Sequence, residues 1–168
     1  FRVAADIRKL HVHIYFVAPC SRPTGGGANC TGTSDDDGNQ IPTLKRLELA
    51  DPTGGGALGW NIVPLVEGIE NFQVEYGRDT NGDGMPDDYV SSLSVSDYVV
   101  SARLFILARS VTPTPGQSSA PSKAYCLASL VAGACPTGKA VSFSDDYKRH
   151  LYLSEVRLTN PSSRREAP

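Results

Sequence analysis

Tyr98-Val-Val-Ser-Ala-Arg-Leu-Phe-Ile-Leu-Ala-Arg109 is the stretch that decides the fold. Val100, Ala102, Leu104, Ile106 and Ala108 occupy every second position, so one side of an extended chain is wholly apolar. The opposite side mixes Val99, Phe105 and Leu107 with Ser101, Arg103 and Arg109, and is expected to be only partly covered. This is the strongest strand signal in the chain.

Moving outward, the same period-two pattern recurs. Upstream, the run 65–71 leads into Phe72, Val74 and Tyr76, which alternate with Gln73 and Glu75. Residues 60–66 and 45–49 read as further extended segments. In 10–18, Leu10, Val12, Ile14, Phe16 and Ala18 alternate with His11, His13, Tyr15 and Val17. Downstream, 150–159 is expected to turn Tyr152, Val156 and Leu158 inward and Glu155 and Arg157 outward, before Asn160-Pro161 stops it. Long polar connectors separate the strands: 19–40, with Gly25-Gly26-Gly27 and Asp35-Asp36-Asp37, and the Pro/Ser/Thr-rich 112–123. Val3, Ile7 and Leu10 have helical spacing, enough for the end of a helix over 2–10. The expectation is one α+β or mainly β domain over 1–168, built of antiparallel sheet with long loops, with a frayed basic tail over 161–168.

Composition narrows the class. The 168 residues suffice for one domain, and a net charge of −2 favours neither nucleic acid nor an anionic membrane as partner. Sixteen Gly and twelve Pro fit a loop-rich β protein. No apolar run approaches the roughly 18 residues needed to span a bilayer. The chain starts at Phe1 without a leader, which reads as a processed product or a piece of something longer. Four cysteines fall into two close pairs, Cys20 with Cys30 and Cys126 with Cys135. Two local disulfides are the simplest of three connectivities, and they imply an oxidising compartment. Zinc competes less well, because neither pair has CxxC spacing.

The sharpest chemical signal is Asp79-Thr-Asn81-Gly-Asp83-Gly84-Met85-Pro-Asp87-Asp88. Hard cations such as Ca²⁺ take six to eight oxygens, and acids at positions 1, 3 and 5 of a loop with Gly at 6 supply them. With Asp79 as position 1, Asn81 falls at 3, Asp83 at 5 and Gly84 at 6. Met85 would offer a carbonyl at 7, and Asp87 falls at 9. Position 12 holds Val90 where an EF-hand needs a bidentate Glu, so an EF-hand as such is excluded. Asp88, water or another segment would complete the shell. A plain polar turn is the competing reading, because Asp, Asn and Gly also tolerate turn geometry.

Other constellations are weaker. His11 and His13 share one side of a strand, but a chelate needs a third ligand, and His150 is the remaining histidine. Two surface histidines opposite an apolar side is the favoured reading. Nucleophile-elbow, HExxH, phosphate-loop and dinucleotide signatures are missing, and the carboxylates cluster in loops. The expectation is a protein that is not an enzyme.

The order of segments carries a resemblance. The run 64–77 with Leu65-Val66-Glu67-Gly68-Ile69-Glu70, the acidic loop, the strand 99–110, the upstream 41–49 and the downstream 146–160 together resemble the PilW family of type IV pilus minor pilins. The Leu-Val-Glu-Gly-Ile-Glu element is also similar to one in J-type pseudopilins of type II secretion. The resemblance implies a pilin-like head whose N-terminal apolar spine helix is absent here, and a structural function. Such a head would prime pilus assembly with other minor pilins, at the filament tip beneath an adhesin. It implies an inner-membrane protein with a periplasmic head before assembly, and an extracellular pilus afterwards. A secreted calcium-dependent binding module is the alternative from another class.

Overall fold

A computed structural model describes residues 11–51, 58–116 and 122–159. The helix reading over 2–10 and the tail 161–168 lie outside these residues. Backbone contacts divide the chain into two compact units, Phe1–Glu67 and Gly68–Pro168.

In the first unit, β1 (His13–Ala18), β2 (Thr43–Ala50) and β3 (Gly59–Glu67) form an antiparallel sheet in that order. The β1–β2 register runs from His13 opposite Glu48 to Ala18 opposite Thr43. Ala18, Lys45 and Thr43 fall on one side of this sheet, and all three are buried. The connector between β1 and β2 carries the Cys20–Cys30 disulfide and a 3-10 turn over Asp35–Gly38. That turn is the one helical segment between β1 and Arg157 among the described residues.

In the second unit the sheet order is β5 (Asp88–Val90), β4 (Ile69–Arg78), β6 (Val99–Arg109), β9 (Arg149–Arg157), again all antiparallel. A two-stranded ribbon, β7 (Ala124–Cys126) and β8 (Ala140–Ser142), carries the Cys126–Cys135 disulfide. The architecture is therefore mainly β and antiparallel.

The two sides of β6 are used the opposite way from the expectation. Phe105 and Leu107 are buried and cluster with Leu127, with Tyr125, Val141, Phe143 and Leu151 packed around them. The mixed side is thus the covered one, because the disulfide-bonded ribbon lies over it. Ala102, Leu104, Ile106 and Ala108 are half-buried, although Val100 on the same side is fully buried. The same correction applies to β9. Leu151, opposite Leu107, packs into the core, whereas Tyr152 and Val156 are 55% and 45% exposed instead of inward.

Gly68 marks the entry to β4. Its φ of +80° is left-handed, and a Cβ there would meet the Arg109 carbonyl at 2.7 Å. That close approach lets the Gly68 carbonyl accept the Arg109 N–H at 2.8 Å, which aligns the start of β4 with the end of β6.

Candidate functional site

The 79–88 loop joins β4 to β5. Asp79 is buried, and its carboxylate accepts the N–H groups of Gly82 at 2.6 Å and Gly84 at 3.0 Å. The glycines at 82 and 84 take φ of +90° and +82°, which curls the chain around that carboxylate. Asn81 Oδ1 accepts the Asp83 N–H, and Asp83 Oδ1 accepts the Met85 N–H, so each acid or amide closes a short turn. Asp87 reaches back across the loop and accepts both the N–H and the hydroxyl of Thr80. These bonds, the hydroxyl first, hold the Asp87 carboxyl below its ordinary pKa. Asn81 Nδ2 donates to Asp83 at 3.3 Å and to Asp87 at 3.0 Å, so three of the oxygen-bearing side chains already converge.

Asp88 does something else. Arg78 grips it through two nitrogens, at 2.9 and 2.5 Å, and holds Asp97 with a third at 3.1 Å. Hydrogen bonding to Arg78 pulls the Asp88 carboxyl below its ordinary value. The Ser94 N–H leads the same effect at Asp97, with Arg78 adding to it. Asp88 is thus committed to a guanidinium, which leaves Asp79, Asn81, Asp83 and Asp87 as the side chains shaping the loop. Met85 is 65% exposed.

The loop folds back over β4 because Gly77 has no side chain. A Cβ there would come within 2.8 Å of Pro86 Cβ and would also strike the Ser101 hydroxyl. A pocket of about 350 Å³ opens beside it, lined by Asp83, Gly84, Met85, Pro86, Val100, Ser101, Glu155 and Arg157. At its wall Glu155 accepts the Tyr89 hydroxyl at 2.5 Å and Arg103 Nε at 2.9 Å, while Arg103 stacks 3.5 Å over the Tyr89 ring. Arg103 also donates to the Ser129 hydroxyl, and Glu75 accepts both the N–H and the hydroxyl of Ser129. This polar chain ties the second disulfide loop to β4 and β6. It fixes the shape of this region.

A second acidic constellation, read from sequence only as a polar cluster, lies in the first unit. Asp35 and Asp36 are buried. Asp35 accepts the N–H groups of Thr24, Thr31 and Gly32 and the Thr24 hydroxyl. The hydroxyl bond, followed by the amides, lowers its pKa to about 2. Asp36 accepts the N–H groups of Ser21, Arg22 and Ile41. Burial pushes the Asp36 carboxyl up, but these amides together outweigh it and the net direction is down. Its backbone, like that of Asp37, is left-handed, with φ of 51° and 54°. Asp tolerates that region better than most residues. Lys45 enters the same interior and donates to the Gly27 carbonyl at 3.0 Å, with burial lowering its pKa and Asp36 opposing the drop. The sequence signal was available: a lysine on the inward side of an apolar strand needs a partner.

Cys20, Cys30 and Asp35 come together closely enough for a metal, but the two sulfurs are bonded to each other and the Asp35 oxygens are filled by donors. The zinc reading of the cysteines is therefore overturned. His11 and His13 lie side by side in the first unit, with ring centroids 5.9 Å apart. His150 is on β9 of the second unit, 4.4 Å from the Tyr152 ring.

Disulfides, amides and guanidinium pairs pin the loops of both units. The model of one protein family, type IV pilus-assembly protein W, matches residues 31–160. The chain belongs to the PilW family. The match spans the acidic loop and both β4 and β6. No curated protein and no solved structure matches the chain. PilW membership implies a role in type IV pilus assembly, protein partners within the pilus machinery, and association with the cell envelope or pilus. No helix among the described residues is long and apolar enough to cross a membrane.

Proposed function

We propose that this PilW-family chain is the globular head of a structural minor pilin that primes type IV pilus assembly, at the filament tip with other minor pilins and an adhesin. The match over 31–160 carries this reading. The pinned loops support it, since surfaces ordered before contact lose less entropy on binding. The spine helix implied by the family would cover the half-buried side of β6 and β9, with Leu104, Ile106, Tyr152 and Val156. Phe105 and Leu107 are already covered by the disulfide-bonded ribbon.

A hard cation, Ca²⁺ by its chemistry, is proposed for the 79–88 loop. Asp79, Asn81, Asp83, the Met85 carbonyl and Asp87 would hold it, with water completing the shell. Asp88 is left out of this set because Arg78 holds it. The ion would fix loop shape and take no part in a reaction.

Deleting the gene in a piliated strain is expected to reduce surface pili, and the full-length gene should restore them. Normal piliation in a strain with no redundant copy would contradict the proposal. Loss of type II secretion with intact pili would favour the pseudopilin relation instead.

A further inference from the structure

The exposed side of the first unit's sheet carries a ligand set that the pilus-assembly role does not use. Alternation along β1 and its N-terminal extension puts His11 and His13 on the same side, and the antiparallel register sets Glu48 of β2 directly opposite His13. The Leu49 N–H donates to the Val12 carbonyl, so strand pairing continues past the end of β1 and holds the His11 backbone close to the sheet. His13 Nε2 is 3.8 Å from Glu48 Oε2, and the two imidazole centroids are 5.9 Å apart at an interplanar angle of 59°.

These separations can be compared with what a metal requires. A tetrahedral ion bonded at about 2.0–2.2 Å places neighbouring ligand atoms about 3.3 Å apart and two bound imidazole centroids about 5 Å apart. Both observed separations exceed those values by less than about 1 Å, and the side chains must turn toward an ion before all three donors reach it. The register offers Glu48, on the neighbouring strand, as a carboxylate beside the two histidines.

We propose that His11, His13 and Glu48 form a chelate for a divalent transition-metal ion of the Zn²⁺, Ni²⁺ or Cu²⁺ class, with the fourth position open to water. Two imidazoles and one carboxylate select such ions over Ca²⁺ or Mg²⁺, which prefer all-oxygen shells. The site is thus chemically separate from the acidic loop of the second unit. Arg46 Nη2 lies 2.7 Å from the same Glu48 oxygen. It places the carboxylate, but its positive charge opposes an incoming dication and must be turned aside, so the affinity is modest.

Calorimetric titration of Zn²⁺ and Ni²⁺ into the chain, in a buffer holding excess Ca²⁺, tests the site. The expected result is one ion per chain. His11→Gln and His13→Gln should each weaken binding by at least about tenfold, since losing even an outer partner of a metal ligand costs that much. Glu48→Gln should also weaken it, while His150→Gln and Asp79→Ala with Asp83→Ala should leave it unchanged. All the substituted ligands are at least partly exposed, and circular dichroism checks that the variants fold. On the unmodified chain, Zn²⁺ should shift the ring-proton resonances of His11 and His13 and not those of His150. Absence of saturable binding, binding unaffected by both histidine substitutions, or shifts confined to His150 would overturn the proposal.

Discussion

The two acidic loops crowd carboxylates together and solve that problem in opposite ways. In the Asp35–Gly38 turn the carboxylates of Asp35 and Asp36 are buried and ringed by backbone N–H groups from the chain that the Cys20–Cys30 disulfide brings round. Of the acids in the 79–88 loop only Asp79 is buried, while Asn81, Asp83 and Asp87 stay exposed and lean on one another through Asn81. Each buried acid of the first loop accepts three or more donors and needs no ion. Exposed acids crowded together are left with mutual repulsion, which a cation would relieve.

The contrast can be broken most forcefully at Asp36. Asp36→Ala strands the N–H groups of Ser21, Arg22 and Ile41 and leaves Lys45 without its counter-charge. It should cost about 3 kcal/mol in denaturant unfolding, with or without calcium. The exposed neighbour in the control Asp37→Asn, which keeps a residue tolerant of the left-handed backbone, should cost less than about 0.5 kcal/mol. Equal losses at the two positions would show that the buried amide ring is not what holds the first loop.

Next in size is the seat of the second loop. Gly77→Ala drives a methyl group against Pro86 and Ser101, so the 79–88 loop must lift off β4. A loss of about 2 kcal/mol is expected. Hydrogen exchange should rise at the Gly82 and Gly84 amides, which Asp79 now holds. Unchanged exchange there would mean that Gly77 does not position the loop.

A smaller, pH-dependent effect separates the loops by titration. The Asp35 carboxyl is lowered from an ordinary 3.8 to about 2, so its stabilisation is fully present above 3.8 and is lost as the pH falls toward 2. The gap in melting temperature between the unmodified chain and Asp35→Asn should therefore narrow from pH 4 to pH 2. A gap that stays constant over that window would rule out a role for Asp35 ionisation.

The sequence was legible where periodicity was long. The alternation in 99–109, 69–78 and 149–157 fixes strands because every second residue must share a side. It could not say which side of β6 would be covered. That depends on β7 and β8, which are three residues each and too short to leave a pattern. Their anchors, Ser129 on Glu75 and Tyr125 on the Arg149 carbonyl, are contacts between residues far apart in the chain. The acidic loop was visible as a motif, but the diversion of Asp88 to Arg78 was not, because it depends on the β4–β5 pairing that sets Arg78 opposite Asp88. Asp35 and Asp36 were hidden for a similar reason. Several of their partners lie eleven to fifteen residues upstream, in the segment tied back by the Cys20–Cys30 bond.

The difference between the two loops is tested most directly by thermal melting of the chain in calcium and in chelator. The measurement is made on the unmodified protein and on the variant combining Asp79→Ala with Asp83→Ala. Asp79 is buried and accepts two amides, so this variant melts lower in any buffer, and the increment that calcium adds is the quantity to read. The account predicts that calcium raises the melting temperature of the unmodified chain and of Asp37→Asn by the same amount, and adds nothing to the double variant. Identical curves in calcium and chelator for the unmodified chain would contradict it.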